Sequence, residues 1–165
     1  MDERARAIEA VYRERYARFR DVLVSLTGSR ELGADAVQET FAQALRDRHS
    51  FRGEGSLEAW IWRIAVRTGG TQRRAQDASG GSHDVSTNGT VVATPAWSDL
   101  DPDLAEAVRS LAPRQRLMIF LHYFADLSYA QLADVCAVSE GTVAATLSQA
   151  RSALVDILRA KEYQR

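Results

Sequence analysis

Cysteine, proline and long apolar runs are all scarce in this chain of 165 residues. The single cysteine, Cys136, excludes an internal disulfide. It falls on the apolar side of a helical pattern, where a buried structural thiol is expected rather than a redox sensor. No stretch approaches the ~18 apolar residues that a membrane-crossing helix needs. The opening MDERARAIEA is charged and has no apolar centre, so it does not read as a secretion signal. The expectation is a soluble, cytoplasmic protein with no membrane insertion. Histidine is equally sparse. His49, His83 and His122 show no ligand spacing with one another or with Cys136. No Ser/His/Asp set and no glycine-rich phosphate motif occurs. A metal or hydrolytic enzyme is therefore the weakest reading: no catalytic residue, metal or cofactor is expected.

Net charge is also low, at −1, which argues against a protein that coats nucleic acid. The charge is unevenly spread, however. Residues 1–76 carry 14 arginines against 11 acids, residues 77–108 carry six acids and no lysine or arginine, and residues 109–165 carry seven basic residues against five acids. Two mildly basic blocks flank an acidic spacer. So small an excess predicts weak stand-alone DNA affinity, because phosphate contacts supply most non-specific binding.

What is abundant is helical periodicity. Ile8, Val11, Tyr12, Tyr16, Phe19, Leu23 and Leu26 form a stripe that predicts a helix over 3–27, ended by Thr27-Gly28. Most of the nearby arginines lie off that stripe, as on a solvated face. A second helix is expected from Ser29 or Glu31 to Arg48, with Ala34, Val37, Phe41, Ala44 and Leu45 inward and Asp35, Gln38, Glu39 and Gln43 elsewhere. The glycines of His49–Gly55 indicate a loop. A third helix starts near Ser56, with Leu57, Trp60, Ile61, Ile64 and Ala65 as its buried stripe. Trp62, Arg63, Val66 and Arg67 fall outside that stripe, as do Arg73 and Arg74. An aromatic among arginines suits single-stranded nucleic acid, where a base stacks on the ring and charge tracks the backbone; packing of Trp62 against another helix is the alternative. Gly69-Gly70 weakens this helix by about 1 kcal/mol per glycine, so it is expected to fray, bend or stop there.

Residues 77–98 are rich in Gly, Ser, Thr, Asn and Asp without apolar periodicity and read as a flexible linker, with Val91, Val92 and Trp97 its only sticky points. Order resumes at Asp101, an N-cap before Pro102, followed by a short helix carrying Leu104, Ala107, Val108 and Leu111. Pro113 opens another helix, with Leu117, Phe120, Leu121 and Phe124 on one side. No internal repeat and no convincing strand is present.

The most informative stretch is SYAQLADVCAVSEGTVAATLSQARSAL, residues 128–154. Ser128 and Gln131 have the spacing of a capping box. Tyr129, Leu132, Ala133 and Cys136 share one helical face. Ala137-Val138 makes a short connection, and Ser139 caps a second helix with Val143, Leu147, Ala150 and Leu154 inward. Its other face is small, polar or basic. This is the pattern of a helix-turn-helix, whose second helix enters the DNA major groove. The other reading is an ordinary helical hairpin with a solvated outer face. Ala144 and Ala145 cannot read base edges but permit close approach, leaving Thr146, Gln149 and Arg151 to make contacts.

Two blocks, in this order, resemble the extracytoplasmic-function group of the bacterial sigma-70 family of RNA polymerase sigma factors. The first is ADAVQETFAQAL (34–45), then Phe51-Arg52-Gly53, LEAWIWRIA (57–65) and Arg73-Arg74; the second is LAPRQRLMIFLHYFADLSYAQLADVCAVSEGTVAATLSQARSAL (111–154). The resemblance implies an all-α protein of two small helical domains on a flexible linker: 1–76 (region 2), 77–98 (linker) and 99–165 (region 4). It implies that region 2 binds the clamp of core RNA polymerase through Asp35, Gln38 and Glu39. Exposed carboxylates and an amide suit an arginine-rich partner surface. It further implies that region 2 recognises and melts the −10 promoter element. The candidate contacts are Phe51 and Arg52 in the loop that accepts a flipped base, and Trp62, Arg63, Arg67, Arg73 and Arg74 on the helix after it. Extruding a base costs a few kcal/mol, which a protein pocket must offset. Region 4 would meet the polymerase flap and read the −35 element. Its candidates are Arg114 and Arg116 for phosphate, with Ser139, Thr142, Thr146, Gln149 and Arg151 on the helix-turn-helix. An anti-sigma factor is an implied partner.

The chain departs from the family at Arg67, where Asn is frequent, and at Gly69–Gln72, where an acid and a basic cluster are usual. It also departs at Ala144 and Ala145, where many members carry a basic residue. These departures bear on the promoter sequence rather than on the class. A stand-alone helix-turn-helix regulator is the rival reading; it calls for a dimer interface or sensing domain, and the N-terminal half shows no βα alternation.

Overall fold

The computed structural model describes residues 2–80 and 100–164, so Val91, Val92, Trp97, His83 and most of the 77–98 linker lie outside the described residues. The chain divides into two compact units, Met1–Val92 and Ala93–Arg165. The described residues are helical in both units and contain no strand.

The first unit is built from α1 (Glu3–Thr27), α2 (Arg30–Arg46), a 3-10 turn at Arg48–Ser50 and α3 (Leu57–Ala78). Each helix starts where a short polar side chain can replace a missing backbone acceptor. Asp2 accepts from the Ala5 N–H, Ser29 from Leu32 and Ser56 from Ala59. α1 stops at Gly28, whose φ of 75° is the left-handed geometry that glycine adopts without penalty. The three helices pack around Ile8, Phe19, Val22, Leu23, Val37, Phe41, Ile61 and Trp62. Aromatic rings run through this core: Tyr12 and Phe19 each meet Phe41 edge to face at 5.0 and 5.1 Å, and Phe19 stacks flat on Trp62 at 3.8 Å. Arg15 and Glu58 add an ion pair between α1 and α3 at 3.4 Å.

Two expectations about α3 are corrected. The helix neither frays nor stops at Gly69-Gly70 but continues to Ala78. Gly69 is buried against α1, where a Cβ would lie 2.8 Å from a Leu26 methyl and 2.9 Å from a Leu23 methyl. The missing side chain lets two helices approach, and the packing offsets the lost propensity. The buried stripe is Ile61, Trp62, Ala65 and Gly69, not one centred on Trp60. Gly33 plays the same part in α2, facing the backbone of Val24.

The second unit contains α4 (Pro102–Ser110), α5 (Pro113–Tyr123), α6 (Tyr129–Cys136) and α7 (Glu140–Tyr163). Asp101 caps α4 by accepting from the Asp103 and Leu104 N–H groups. The Ser128–Gln131 capping box forms in both directions. Ala137 takes a left-handed conformation (φ 55°) that ends α6, and the Val138 N–H returns to the Ala133 carbonyl at 2.9 Å. Ser139 then caps α7 through the Thr142 N–H. The core gathers Val108, Leu111, Met118, Leu121, Leu132, Val135, Val143, Leu147 and Ala150. Lys161, the only lysine in the sequence, ties the end of α7 to Asp103 and Glu106 of α4. Cys136 is half-buried rather than fully buried. Burial raises its thiol pKa, and the nearby Arg114 opposes that rise.

Candidate nucleic-acid and partner interfaces

On α2, the inward stripe of Ala36, Val37, Thr40, Phe41 and Ala44 leaves Asp35, Gln38 and Glu39 exposed on the outer side. Glu39 is paired with Arg46 at 2.6 Å. An exposed ion pair of this kind contributes little to stability, so its carboxylate is open to exchange for a partner's cation.

On α3, the structure separates the two tryptophans. Trp62 is fully buried, stacked on Phe19 and donating its indole N–H to Glu58 at 3.4 Å. The expectation that Trp62 meets DNA is therefore corrected, because its ring has no exposed face. Trp60, not Trp62, is the tryptophan on the outer side of α3. It is half-buried, with its ring centroid 5.6 Å from that of Phe51 in the preceding loop. At 100° per residue, Trp60, Arg63, Arg67 and Arg74 fall within roughly 60° of one another around α3, opposite the core. All three arginines are exposed. Arg52 is exposed beside Phe51, where Gly53 and Gly55 turn the loop with φ of 78° and 77°. Arg73 does not join this face. It is half-buried and donates to the Leu26 carbonyl at the end of α1, 3.4 Å away. The face therefore has the aromatic and cationic make-up that single-stranded nucleic acid needs, with Trp60 in place of Trp62 and without Arg73.

On the second unit, Ser139, Thr142 and Gln149 are exposed and Thr146 is half-buried along α7. Ser139 Oγ is also engaged as the helix cap and with Thr142 Oγ1 at 2.9 Å. Thr142, Thr146 and Gln149 share one flank of the helix. Arg151 does not: at 100° per residue it lies on the opposite flank. There its Nε donates to the Tyr123 hydroxyl at 3.0 Å and its Nη2 to the Tyr129 hydroxyl at 2.9 Å. These bonds, Tyr129's the larger effect, raise the guanidinium pKa further above its already high ordinary value. Nothing in the sequence pattern marked Tyr123 or Tyr129 as companions of Arg151. Arg114 is exposed near the start of α5. Arg116 is half-buried and bonded to the Leu111 carbonyl at 3.0 Å, which makes it a brace between α4 and α5 rather than an open phosphate ligand.

The geometry defines a class: an all-helical protein with a helix-turn-helix unit and a separate unit bearing an aromatic, arginine-lined face. Comparison with known proteins narrows this. Residues 11–78 match sigma-70 region 2, and residues 102–154 match sigma-70 region 4. The RNA polymerase sigma factor YlaC of Bacillus subtilis is 30% identical over 154 residues, covering 88% of each chain. The ECF RNA polymerase sigma-E factor of Haemophilus influenzae is 32% identical, covering 71% of this chain and 69% of its own. Among solved structures, the sigma factor RpoE of Bartonella quintana, crystallised with the anti-sigma factor NepR, superposes with a TM-score of 0.72. Identity is 25%, over 92% of this chain and 98% of that one. CnrH, solved with the cytosolic domain of CnrY, shares the fold with a TM-score of 0.66 at 20% identity, over 94% and 89% of the two chains. The chain belongs to the sigma-70 family, in its extracytoplasmic-function group. It is a promoter-specific transcription initiation factor.

Proposed function

We propose that the two units divide the work of promoter recognition. Residues 1–76 bind the polymerase clamp through Asp35, Gln38 and Glu39 and open the −10 element with Phe51, Arg52, Trp60, Arg63, Arg67 and Arg74. Residues 99–165 meet the flap and read the −35 element with α7, and residues 77–98 link them. The protein lends sequence recognition to the polymerase and catalyses nothing itself. It works in the cytoplasm, where the polymerase is; among the described residues no helix is long and apolar enough to cross a membrane. An anti-sigma factor is the expected regulator, as the complex of the Bartonella relative with NepR suggests by analogy.

The observation that carries this reading is α7 itself. Val143, Leu147 and Ala150 bury one side of it, while Thr142, Ala144, Ala145, Ser148 and Gln149 stand exposed on the other, directly after the tight turn at Ala137. A helix held this firmly by its inner side and kept unbulky on its outer side is suited to a major groove. The weak charge excess fits as well. Two low-affinity contacts held on one polymerase reinforce each other through effective concentration, so neither unit needs to bind DNA tightly alone.

In vitro transcription with core polymerase and a promoter library tests the reading. Initiation from a discrete promoter set only when the chain is present is the expected result. Gln38→Ala with Glu39→Ala should abolish it by preventing core binding. Absence of core binding, together with specific duplex binding by the free chain, would instead mean a stand-alone regulator.

A further inference from the structure

The segment between α2 and α3 is tied at its root to the start of α1. Asp2 uses its carboxylate twice. Oδ1 accepts from the Ala5 N–H at 2.7 Å and caps α1, while Oδ2 accepts from Arg48 Nε at 2.7 Å. Arg48 is half-buried in the 3-10 turn, 46 residues further along the chain. Its Nη1 donates to the Leu45 carbonyl in the last turn of α2, also at 2.7 Å. One guanidinium therefore joins the start of α1, the end of α2 and the turn that follows. Arg4 adds a longer bond, from Nη1 to the His49 carbonyl at 3.4 Å. Within the turn, Ser50 donates to the Asp47 carbonyl through both its N–H and its hydroxyl, each at 2.8 Å.

The residues just beyond are held very differently. Arg52, Gly53, Glu54 and Gly55 are all exposed, and the two glycines have φ of 78° and 77°. A segment with so little packing of its own stands where its ends put it. The far end is Ser56, which caps α3 through the Ala59 N–H. The near end runs from Arg48 to Phe51, whose ring lies against Trp60. The Asp2 and Arg48 side chains keep 39% and 33% of their surface exposed, so their ion pair adds little to global stability. Its charge-assisted bond fixes direction instead. We propose that Asp2 and Arg48 are positioning residues for capture of the −10 strand: their clasp fixes the root of the 51–55 loop, so that Phe51 and Arg52 stand in place beside Trp60 before a base arrives. This rests on that loop being the segment that accepts the flipped base. A loop ordered in advance loses less freedom when its ligand binds, and the clasp acts through that saving rather than by touching DNA.

The test uses holoenzyme assembled from core polymerase and the full chain, with any tag at the C-terminal end so that Asp2 is left undisturbed. The probe is a single-stranded oligonucleotide carrying the −10 non-template sequence of a promoter that the unsubstituted chain selects. A second probe has an abasic site at the position where base removal costs the unsubstituted holoenzyme most. Asp2→Ser keeps a capping oxygen for α1 and removes the one that holds Arg48. Asp2→Ser and Arg48→Ala should each weaken binding of the intact strand about fivefold. Neither should change binding of the abasic strand, because the loop then has no base to grip. In the Arg48→Ala background Asp2→Ser should have no further effect, since the carboxylate acts through that guanidinium. Equal losses on both strands, with a lowered unfolding temperature, would mean that the clasp only stabilises the unit, and would overturn the proposal. Effects that add in the double variant would overturn it as well. Arg52→Ala separates the two levels. If it weakens the intact strand while Asp2→Ser and Arg48→Ala are indifferent, only the clasp falls. If Arg52→Ala is indifferent too, and no abasic position costs affinity, the assignment of the loop to the −10 strand falls with it.

Discussion

Phe19 and Trp62 lie face to face in the first unit, with ring centroids 3.8 Å apart and planes within 8° of parallel. Both rings are fully buried, one on α1 and the other on α3. This stack joins the α1–α2 pair to the helix that carries the −10 candidates, so removing it should act on the fold before it acts on DNA. Trp62→Ala is expected to cost about 3–5 kcal/mol, the range for deleting a buried aromatic ring. Trp60→Ala should cost less, since Trp60 is half-buried, yet it should impair promoter opening more than its stability loss explains. Thermal unfolding paired with permanganate footprinting of the −10 strand checks both. Equal behaviour of the two variants would contradict the division of roles.

The glycines of the first unit are expected to respond in opposite directions. A Cβ on Gly33 would meet the Val24 backbone N and Cα at 2.8 Å, a contact that only a shift of α2 against α1 can relieve. Gly33→Ala should therefore destabilise by about 1–3 kcal/mol despite its better helix propensity. Gly70 has nothing within 4 Å of an added Cβ. Gly70→Ala should stabilise by up to about 1 kcal/mol through propensity alone. Chemical denaturation of the two variants measures the difference directly.

Asp2 gives the first unit an acid sensitivity. The Arg48 side chain bonds its carboxylate at 2.7 Å, and the Ala5 N–H adds a second bond. Arg48 foremost, then Ala5, hold the Asp2 carboxyl below its ordinary value. A carboxyl whose folded pKa is depressed stabilises above its unfolded value of about 3.9 and loses that contribution as pH falls through the folded pKa. Unfolding temperature should therefore drop more steeply below about pH 4 in the native chain than in Asp2→Asn, which keeps a capping oxygen but does not titrate. A pH series of melting curves on the two proteins decides this.

Helix existence and capping were legible in the sequence because they depend on local signals. Asp101, Ser128, Gln131 and Ser139 cap where the spacing indicated, and the turn falls at Ala137. The rotation of α3 was not legible. The apolar stripe through Leu57, Trp60, Ile61, Ile64 and Ala65 differs from the buried one through Ile61, Trp62, Ala65 and Gly69 by roughly a quarter turn at 100° per residue. A periodicity reading weights large apolar side chains, and the true stripe runs through a glycine whose value lies in having no side chain. The interactions of Arg73, Arg116 and Arg151 were hidden for a different reason. Their acceptors are 47, 5 and 28 residues distant in sequence for Leu26, Leu111 and Tyr123, and their side chains turn to partners that no local pattern specifies.

Ala145 offers a gain of function on the −35 side. It is exposed on α7 between Thr142 and Gln149, in a helix whose neighbouring Val143 and Leu147 are fully buried. Alanine here gives close approach but no hydrogen bond to a base or a phosphate. An arginine has a helix propensity near that of alanine and would extend into solvent, so Ala145→Arg should change stability by no more than about 0.5 kcal/mol. In the holoenzyme it should tighten promoter binding and steepen the salt dependence by about one unit of slope, if its guanidinium meets a phosphate. If it meets a guanine edge instead, the slope should stay nearly constant while preference at one −35 position shifts, by about 1–3 kcal/mol. Binding titrations over a salt series and a randomised −35 library distinguish these results. An Ala145→Arg chain that folds normally and changes neither quantity would mean that this side of α7 does not face DNA.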